Sequence, residues 1–318
     1  MAINIVRYIQ GEKAHWGILV DKNIYPMDID CGTTTELLSF IAGKEEQFKD
    51  CTGESIALES VTLLSPITET ARVFCQGINY PEHMRESGID PDKKNFNMFF
   101  IKTSASITGP TGNIIRPRHV KLLDYEIELA LVLRKHTNGP VNVNRANLHE
   151  YVAGICIGND VSARDVQLPQ GQFYKGKSYR TFCPLGPVLC LLAKDEMHYL
   201  DGMNLKLSVN RAVRQQDSTS NMVFKPAETI TEFSQIENLV PGDVILTGTP
   251  AGCAAQSPPR IVVKISSLLP EEKKWKLFIK GQSKNQKYLK PGDIVESSII
   301  SSDGEIDLGT QIHTVASE

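Results

Sequence analysis

The sequence predicts an α+β fold in which strands dominate, and three observations carry that prediction. Short runs of alternating apolar and polar residues recur along the chain, with few helical stretches between them. No regular strand–helix alternation appears, so a sheet of βα units is not expected. Pro-Gly-Asp followed by an apolar run occurs at Pro241-Gly242-Asp243-Val244-Ile245-Leu246 and again at Pro291-Gly292-Asp293-Ile294-Val295, which reads as two strands entered through similar turns.

Ile3, Ile5 and Tyr8 begin one short strand, and Trp16-Gly17-Ile18-Leu19-Val20 forms another. Thr34 to Ala42 reads as a short helix with Thr33 or Thr34 as its N-cap. Residues 1–68 are therefore expected to form a small β-rich N-terminal domain, joined near Ser65-Pro66-Ile67 to a main domain over 69–318. Arg72-Val73-Phe74-Cys75 opens that domain as a strand. Pro81 suits the first turn of a following helix, and Gly88 suits its stop. His83 and Glu86 stand three apart and share a helix face, either as a functional pair or as a chance pair on a surface helix. Phe99-Phe100-Ile101-Lys102 reads as a strand and Ala146 to Tyr151 as a short helix.

Asp124-Tyr125-Glu126-Ile127-Glu128-Leu129-Ala130-Leu131-Val132-Leu133 is the most unusual strand. Residues two apart share a face, so Tyr125, Ile127, Leu129, Leu131 and Leu133 line one side. Asp124, Glu126 and Glu128 line the other, followed by Ala130 and Val132. Carboxylates in successive same-face positions repel one another and resist burial. A hard divalent cation would compensate them; so would water around an acidic edge strand.

Composition narrows the function. A formal net charge of −3 gives no strong attraction to nucleic acid or anionic membrane. No apolar run approaches the roughly 20 residues of a membrane span. No basic region precedes the apolar start and no small-residue cleavage site follows it, so no signal peptide is expected. Seven cysteines, none in a Cys-x-x-Cys pair, read as reduced and buried in a cytoplasmic protein. The Gly248-Thr249-Pro250-Ala251-Gly252 turn lacks the Lys-Ser/Thr of a phosphate loop, and no nucleophile elbow or zinc-protease helix occurs.

Several motifs then occur together and in order: Gly77-Ile78-Asn79-Tyr80 with His83 and Glu86, the Tyr125-Glu126-Ile127-Glu128 strand, Gly158-Asn159-Asp160-Val161-Ser162-Ala163-Arg164-Asp165-Val166-Gln167, Gly176-Lys177-Ser178, and Pro241-Gly242-Asp243 to Gly252. Together they resemble the fumarylacetoacetate hydrolase family, over about residues 70–252 and again over 289–315. The resemblance implies mixed β-sheets rolled around a central site, usually in a homodimer. It implies a Mg²⁺ or Mn²⁺ site, with Ca²⁺ also compatible, on Glu126, Glu128 and Asp160. Asp124 then falls outside the ligand set or at the surface. The family's dyad falls on His83 and Glu86, on a segment often mobile as a lid, and its site lysine on Lys177. Tyr80, Lys102, Arg164, Gln167 and Thr249 match or neighbour substrate-contacting positions.

The chemistry implied is cleavage of a C–C bond in a small β-diketo or 2-oxo acid, acylpyruvate-like, through an enolate stabilised by the cation. Oxaloacetate-type decarboxylation and enol–keto isomerisation of a 2-hydroxy-dienoate are the alternatives on the same scaffold. A metal-binding protein that has lost catalysis is the alternative of another class. The dyad favours hydrolysis or decarboxylation over simple isomerisation.

The chain also departs from the family pattern. Cys253-Ala254 replaces the usual Val-Gly, so the loop beside Thr249 is expected to run differently. An insertion separates Pro259 from Tyr288, with Ile261, Val263 and Ile265 alternating, then Trp275, Leu277 and Ile279. This reads as an extra hairpin near 260–287, strongly basic with one Arg and seven Lys against two Glu. It is either a lysine-protected edge or an extension at the dimer interface or pocket rim.

Overall fold

The computed structural model describes residues 2–49, 51, 53–93, 96–257 and 269–318. The strand Ile127–Leu133 sits inside the larger sheet, antiparallel to Val152–Asn159 on one side and to Val244–Leu246 on the other. Val244–Leu246 pairs in parallel with Val73–Gly77, which pairs with the edge strand Met98–Lys102. In the other direction Val152–Asn159 leads through Leu189–Leu191 to Ile3–Gln10, Lys13–Val20, Asn23–Pro26 and Ile56–Ala57. The strands of the first sixty-odd residues therefore continue this sheet, through Ile3 and Ile5 against Leu191 and Leu189. A second sheet stacks Ala212–Ser218, Met203–Val209, Ile294–Ser301, Asp307–Ser317 and Thr111–Arg116.

The alternation in the acidic strand separates two cores. Ile127, Leu129, Leu131 and Leu133 pack into one cluster with Leu205, Leu207, Val295 and Ile299 of the second sheet. Ala130 and Val132 face the opposite cluster, with Leu37, Leu38 and Ile41 of the helix Thr34–Ile41. Thr33 caps that helix: its hydroxyl accepts the Glu36 N–H at 3.2 Å, and the Glu36 carboxylate accepts the Thr33 N–H at 3.0 Å.

The two Pro-Gly-Asp turns have the same construction. Gly242 and Gly292 take left-handed backbone at φ 88° and 93°, open to glycine. The Asp243 and Asp293 carboxylates each accept an N–H three residues back, from Val240 and Lys290, at 2.7 Å. One turn feeds each sheet.

The basic insertion departs from the expected hairpin. Ile261, Val263 and Ile265 lie outside the described residues, and its second half is a helix, Glu271–Gln282. Strand-like alternation of Trp275, Leu277 and Ile279 competes there with helical spacing of Trp275, Phe278 and Gln282. Helix-forming Glu, Lys and Leu, acidic residues in the first turn and a Glu272–Lys276 pair decide it.

Candidate metal centre and active-site cavity

The centre is built where two neighbouring strands meet the loops at their ends. The Asn159 side chain accepts the Glu126 N–H at 3.0 Å, and the Asp160 N–H donates to the Glu126 carbonyl at 2.8 Å. These bonds clamp the start of the acidic strand to the end of Val152–Asn159. One carboxylate oxygen each from Glu126, Glu128 and Asp160 then lies within 4.8 Å of the others, all three residues buried.

Cations surround two of the three. Lys177 Nζ donates to Glu126 Oε1 at 2.8 Å and to Asp160 Oδ2 at 2.6 Å. Lys102 Nζ donates to Asp160 Oδ1 at 2.5 Å. Arg164 bridges Glu126, at 2.5 Å, and Asp124, at 2.9 Å. Burial alone pushes Glu126 up, but Arg164, Lys177 and His83 outweigh it and hold the carboxyl below its usual range. Burial disfavours the charged Lys177, but Asp160 and Glu126 prevail and raise it above the ordinary lysine value. Glu128 differs. Burial, Asp160 and Glu126 push it well above the carboxylate range, and the Lys177 charge and a Gly248 N–H at 2.6 Å offset this only in part.

This donor set fits a hard divalent cation. With Asp124, four carboxylates face the three cations Lys102, Lys177 and Arg164, a deficit of one positive charge. Among the described residues no ion pair reaches Glu128, whose pressure toward protonation a cation would relieve. Ligand oxygens around one Mg²⁺ or Ca²⁺ lie about 3–5 Å apart, a range that the trio's mutual spacing within 4.8 Å permits.

Asp124 is neither exposed nor idle. It is fully buried, and its carboxylate accepts the N–H groups of Ala254 and Ala255 at 2.7 and 2.9 Å besides the Arg164 contact. It thereby ties the loop after Gly252 to the arginine that holds Glu126. The Cys253-Ala254 substitution is accommodated because left-handed backbone falls on Gly252, at φ 108°, and not on Ala254.

A cavity of about 560 Å³ opens against this cluster. Glu126, Arg164, Gln167 and Lys177 line it together with His83 and Glu86. His83 lies in the helix Pro81–Glu86, which starts with Pro81 at its first turn and ends before Gly88 at φ 77°. Its Nδ1 is buried, without a hydrogen bond, 3.7 Å from Glu86 Oε2, beyond hydrogen-bond reach but within ion-pair range. Glu86 also accepts the Gly252 N–H at 2.9 Å. Burial pushes Glu86 up, yet His83 and Gly252 outweigh it and lower its pKa. Ile78 lines the cavity in left-handed backbone at φ 55°, a costly state for a β-branched residue. The neighbouring Asn79 anchors it, its side chain bonded to Phe224 and to the Thr247 carbonyl.

Of the other sequence candidates, Lys102, Tyr80 and Thr249 lie away from the cavity wall, and Gln167 is part of it. Lys102 stands behind Asp160. Tyr80 is fully buried with an unpaired hydroxyl, its pKa raised by burial, Asp217 and Glu128. The Thr249 hydroxyl donates to the Ile127 carbonyl at 2.9 Å and accepts from Gln215 at 2.8 Å. Gln167 accepts from Arg164 at 3.0 Å and positions it. Sequence reasoning missed Gln215, which also accepts the Ile127 N–H at 3.0 Å, and no local signal marks it. It missed Ser162 too, which donates to Glu126 at 2.9 Å; its place two residues after Asp160, on the same face of an extended chain, was the available clue.

A mixed sheet here carries a buried carboxylate trio that could hold a divalent metal, beside a lysine and a histidine–glutamate pair. The chain belongs to the fumarylacetoacetate hydrolase family: the family's C-terminal domain model, described as fumarylacetoacetate (FAA) hydrolase C-terminal, matches residues 72–316. Members of this family are enzymes and bind divalent metals, and the trio could hold one. Among relatives, oxaloacetate tautomerase Fahd2a, mitochondrial, of Rattus norvegicus is 40% identical over 212 residues, which are 66% of this chain and 65% of that protein. The match thus spans just under two thirds of that relative's length. A probable 2-hydroxyhepta-2,4-diene-1,7-dioate isomerase from Mycobacterium abscessus has a similar structure, with a TM-score of 0.74 and 31% identity over 100% of this chain and 99% of that one. Fumarylacetoacetate hydrolase from Exiguobacterium antarcticum superposes with a TM-score of 0.72 and 28% identity over 99% of this chain and 100% of that one. No helix among the described residues is long and apolar enough to cross a membrane.

Proposed function

We propose that this chain is a divalent-metal-dependent enzyme that moves a proton between the enol and keto forms of a small 2-oxo acid. The observation that carries this reading is the convergence on one cavity of His83, Glu86 and Lys177 with the edge of the carboxylate trio. The names of the rat and mycobacterial relatives bring the isomerising alternative ahead of the hydrolase expected from the dyad. Glu126, Glu128 and Asp160 would hold Mg²⁺ or Mn²⁺, which when bound supplies Lewis acidity to the keto and carboxylate oxygens of the acid.

The protein's own groups divide the remaining tasks. His83 takes the proton from the carbon beside the ketone, or from the enol hydroxyl, and returns it to the other atom; Glu86, 3.7 Å away, orients the ring. Lys177 presents a permanent positive charge where negative charge develops on oxygen. C–C bond hydrolysis of a β-diketo acid is a second reading. It is favoured by the same dyad, which suits removal of a proton from water. A homodimer is part of the proposal, and sedimentation in solution tests it.

Enol–keto interconversion of oxaloacetate, followed by ultraviolet absorbance with Mg²⁺ or Mn²⁺, tests the first reading, and two-acid products from acylpyruvates test the second. His83→Ala is expected to slow turnover by about 10²–10⁴-fold. If the metal-loaded protein accelerates neither reaction, or if Glu126→Ala changes nothing, catalysis at this centre is refuted and the metal-binding alternative takes its place.

A further inference from the structure

The cavity lining has two unlike parts. One is the charged cluster. The other is apolar, with Ile89, Leu168, Phe100, Phe173, Trp275 and Phe278. Trp275 and Phe278 come from the helix Glu271–Gln282, within the stretch that the sequence sets apart as an insertion. We propose that this helix forms a distal substrate subsite, and that the substrate is a 2-oxo acid whose end remote from the carboxylate carries an apolar, ring-sized group. The proposal rests on the reading of the charged end as the site of 2-oxo acid chemistry.

Three observations support it. The aromatic residues form two edge-to-face pairs: Phe100 and Phe173 at 5.3 Å and 72°, Trp275 and Phe278 at 5.6 Å and 85°. Such pairs leave ring faces and edges available to a further ring. Phe100 also lies under the Lys177 ammonium, 5.1 Å from the ring centroid, so the apolar chamber begins where the charged cluster stops. A ligand with its acid head at Lys177 and Glu126 extends directly onto the rings.

The second observation concerns charge. A substrate with a second carboxylate would need a cation at the far end. Beyond the charged cluster, Lys274 is the one lysine or arginine among the described lining residues, and it already lies 3.2 Å from Glu271. Lys274 also lies over the Trp275 ring at 4.9 Å. The far end therefore favours apolar matter over a carboxylate.

The third observation is that the helix is tied to the loop that serves the metal centre. Gln282 donates to the Gln256 carbonyl at 3.3 Å and accepts from the Tyr288 hydroxyl at 3.0 Å, while Asn285 donates to the Ala254 carbonyl at 2.8 Å. Ala254 and Ala255 bond Asp124, which holds Arg164 against Glu126. The aromatic wall and the acid-binding end thus share one hydrogen-bonded frame, which fixes the distance between them. Such a frame discriminates by ligand length.

The test uses full-length protein with Mg²⁺ and a series of 2-oxo acids of rising distal size, from the four-carbon keto diacid to an aryl-bearing β-diketo acid. The aryl acid is expected to exceed the diacid at least tenfold in kcat/KM. Trp275→Ala and, independently, Phe278→Ala should each lower that ratio about tenfold. Calorimetric titration with oxamate and an N-aryl oxamate separates the two proposals. Tighter binding of the aryl compound, lost in Trp275→Ala, supports the subsite even if no acid is turned over. Turnover of small acids with no aryl preference in rate or binding, or an unchanged ratio in both variants, overturns the subsite and leaves the proposed reaction standing. Failure of both oxamates to bind overturns both.

Discussion

The two ends of the cavity are built on opposite principles. At the buried end, Glu126, Glu128 and Asp160 stand on or beside central strands whose backbone bonds are satisfied on both sides, and Lys102, Lys177 and Arg164 interlock with Asp124, Glu126 and Asp160. At the other end, none of the residues of the helix Glu271–Gln282 is buried, and Leu277 is 58% exposed. Charges removed from water need rigid, complete pairing, because a buried ion that loses its partner is costly. Apolar contact with a variable ligand needs only shape, and a peripheral helix can supply it without a dense core behind it. On the two proposals made above, the reaction falls at the interlocked, buried end and the choice of substrate at the exposed helix.

The largest test of this contrast is Glu126→Ala. It leaves Lys177 and Arg164 short of a buried partner and should cost about 3–5 kcal/mol in urea unfolding, besides abolishing metal-dependent turnover. A loss below 1 kcal/mol would mean that the buried end is less tightly interlocked than its geometry indicates. Metal loading should act next most strongly. Mg²⁺ or Mn²⁺ at a hundred times its Kd should add about 2.7 kcal/mol and raise the melting midpoint, reversibly with chelator; no shift with either ion would sink the trio as a resident site.

Gly176→Ala is a smaller perturbation of the same end. An added Cβ would lie 2.7 Å from the Gln167 backbone nitrogen, forcing apart the helices Arg164–Gln170 and Phe173–Lys177. Overpacking of this kind costs about 1–3 kcal/mol, and displacement of Lys177 should lower kcat more than it raises KM. At the helix end, Glu272→Gln removes a surface ion pair to Lys276 and is expected to leave the unfolding midpoint within error. A clear loss of stability there would erase the distinction between the ends.

Much of the buried end was legible because it is written in local periodicity. Alternation in the acidic strand sorts Ile127, Leu129, Leu131 and Leu133 to one core and Ala130 and Val132 to the other, as the two clusters show. Thr33 and the Pro-Gly-Asp turns were readable for the same reason, since their bonds close within three residues. The second half of the insertion is ambiguous in sequence, because Trp275, Leu277 and Ile279 satisfy a strand pattern while Trp275, Phe278 and Gln282 satisfy the helical one the structure adopts. Over a stretch this short, propensity and i,i+4 pairing outweigh alternation. The burial of Asp124 was not legible, since its partners Arg164, Ala254 and Ala255 lie 40 and 130 or so residues away in the chain.

The sequence by itself determined which carboxylates share a face, which turns launch the strands, and which ordered motifs mark the family. All of these follow from side-chain direction and from hydrogen bonds between near neighbours. Only the tertiary structure decided that Asp124 braces Arg164, that Gln215 ties Thr249 to the acidic strand, and that an inserted helix walls the far end of the cavity. Those contacts depend on how two sheets and their connecting loops pack, and side-chain periodicity carries no information about distances between segments far apart in the chain.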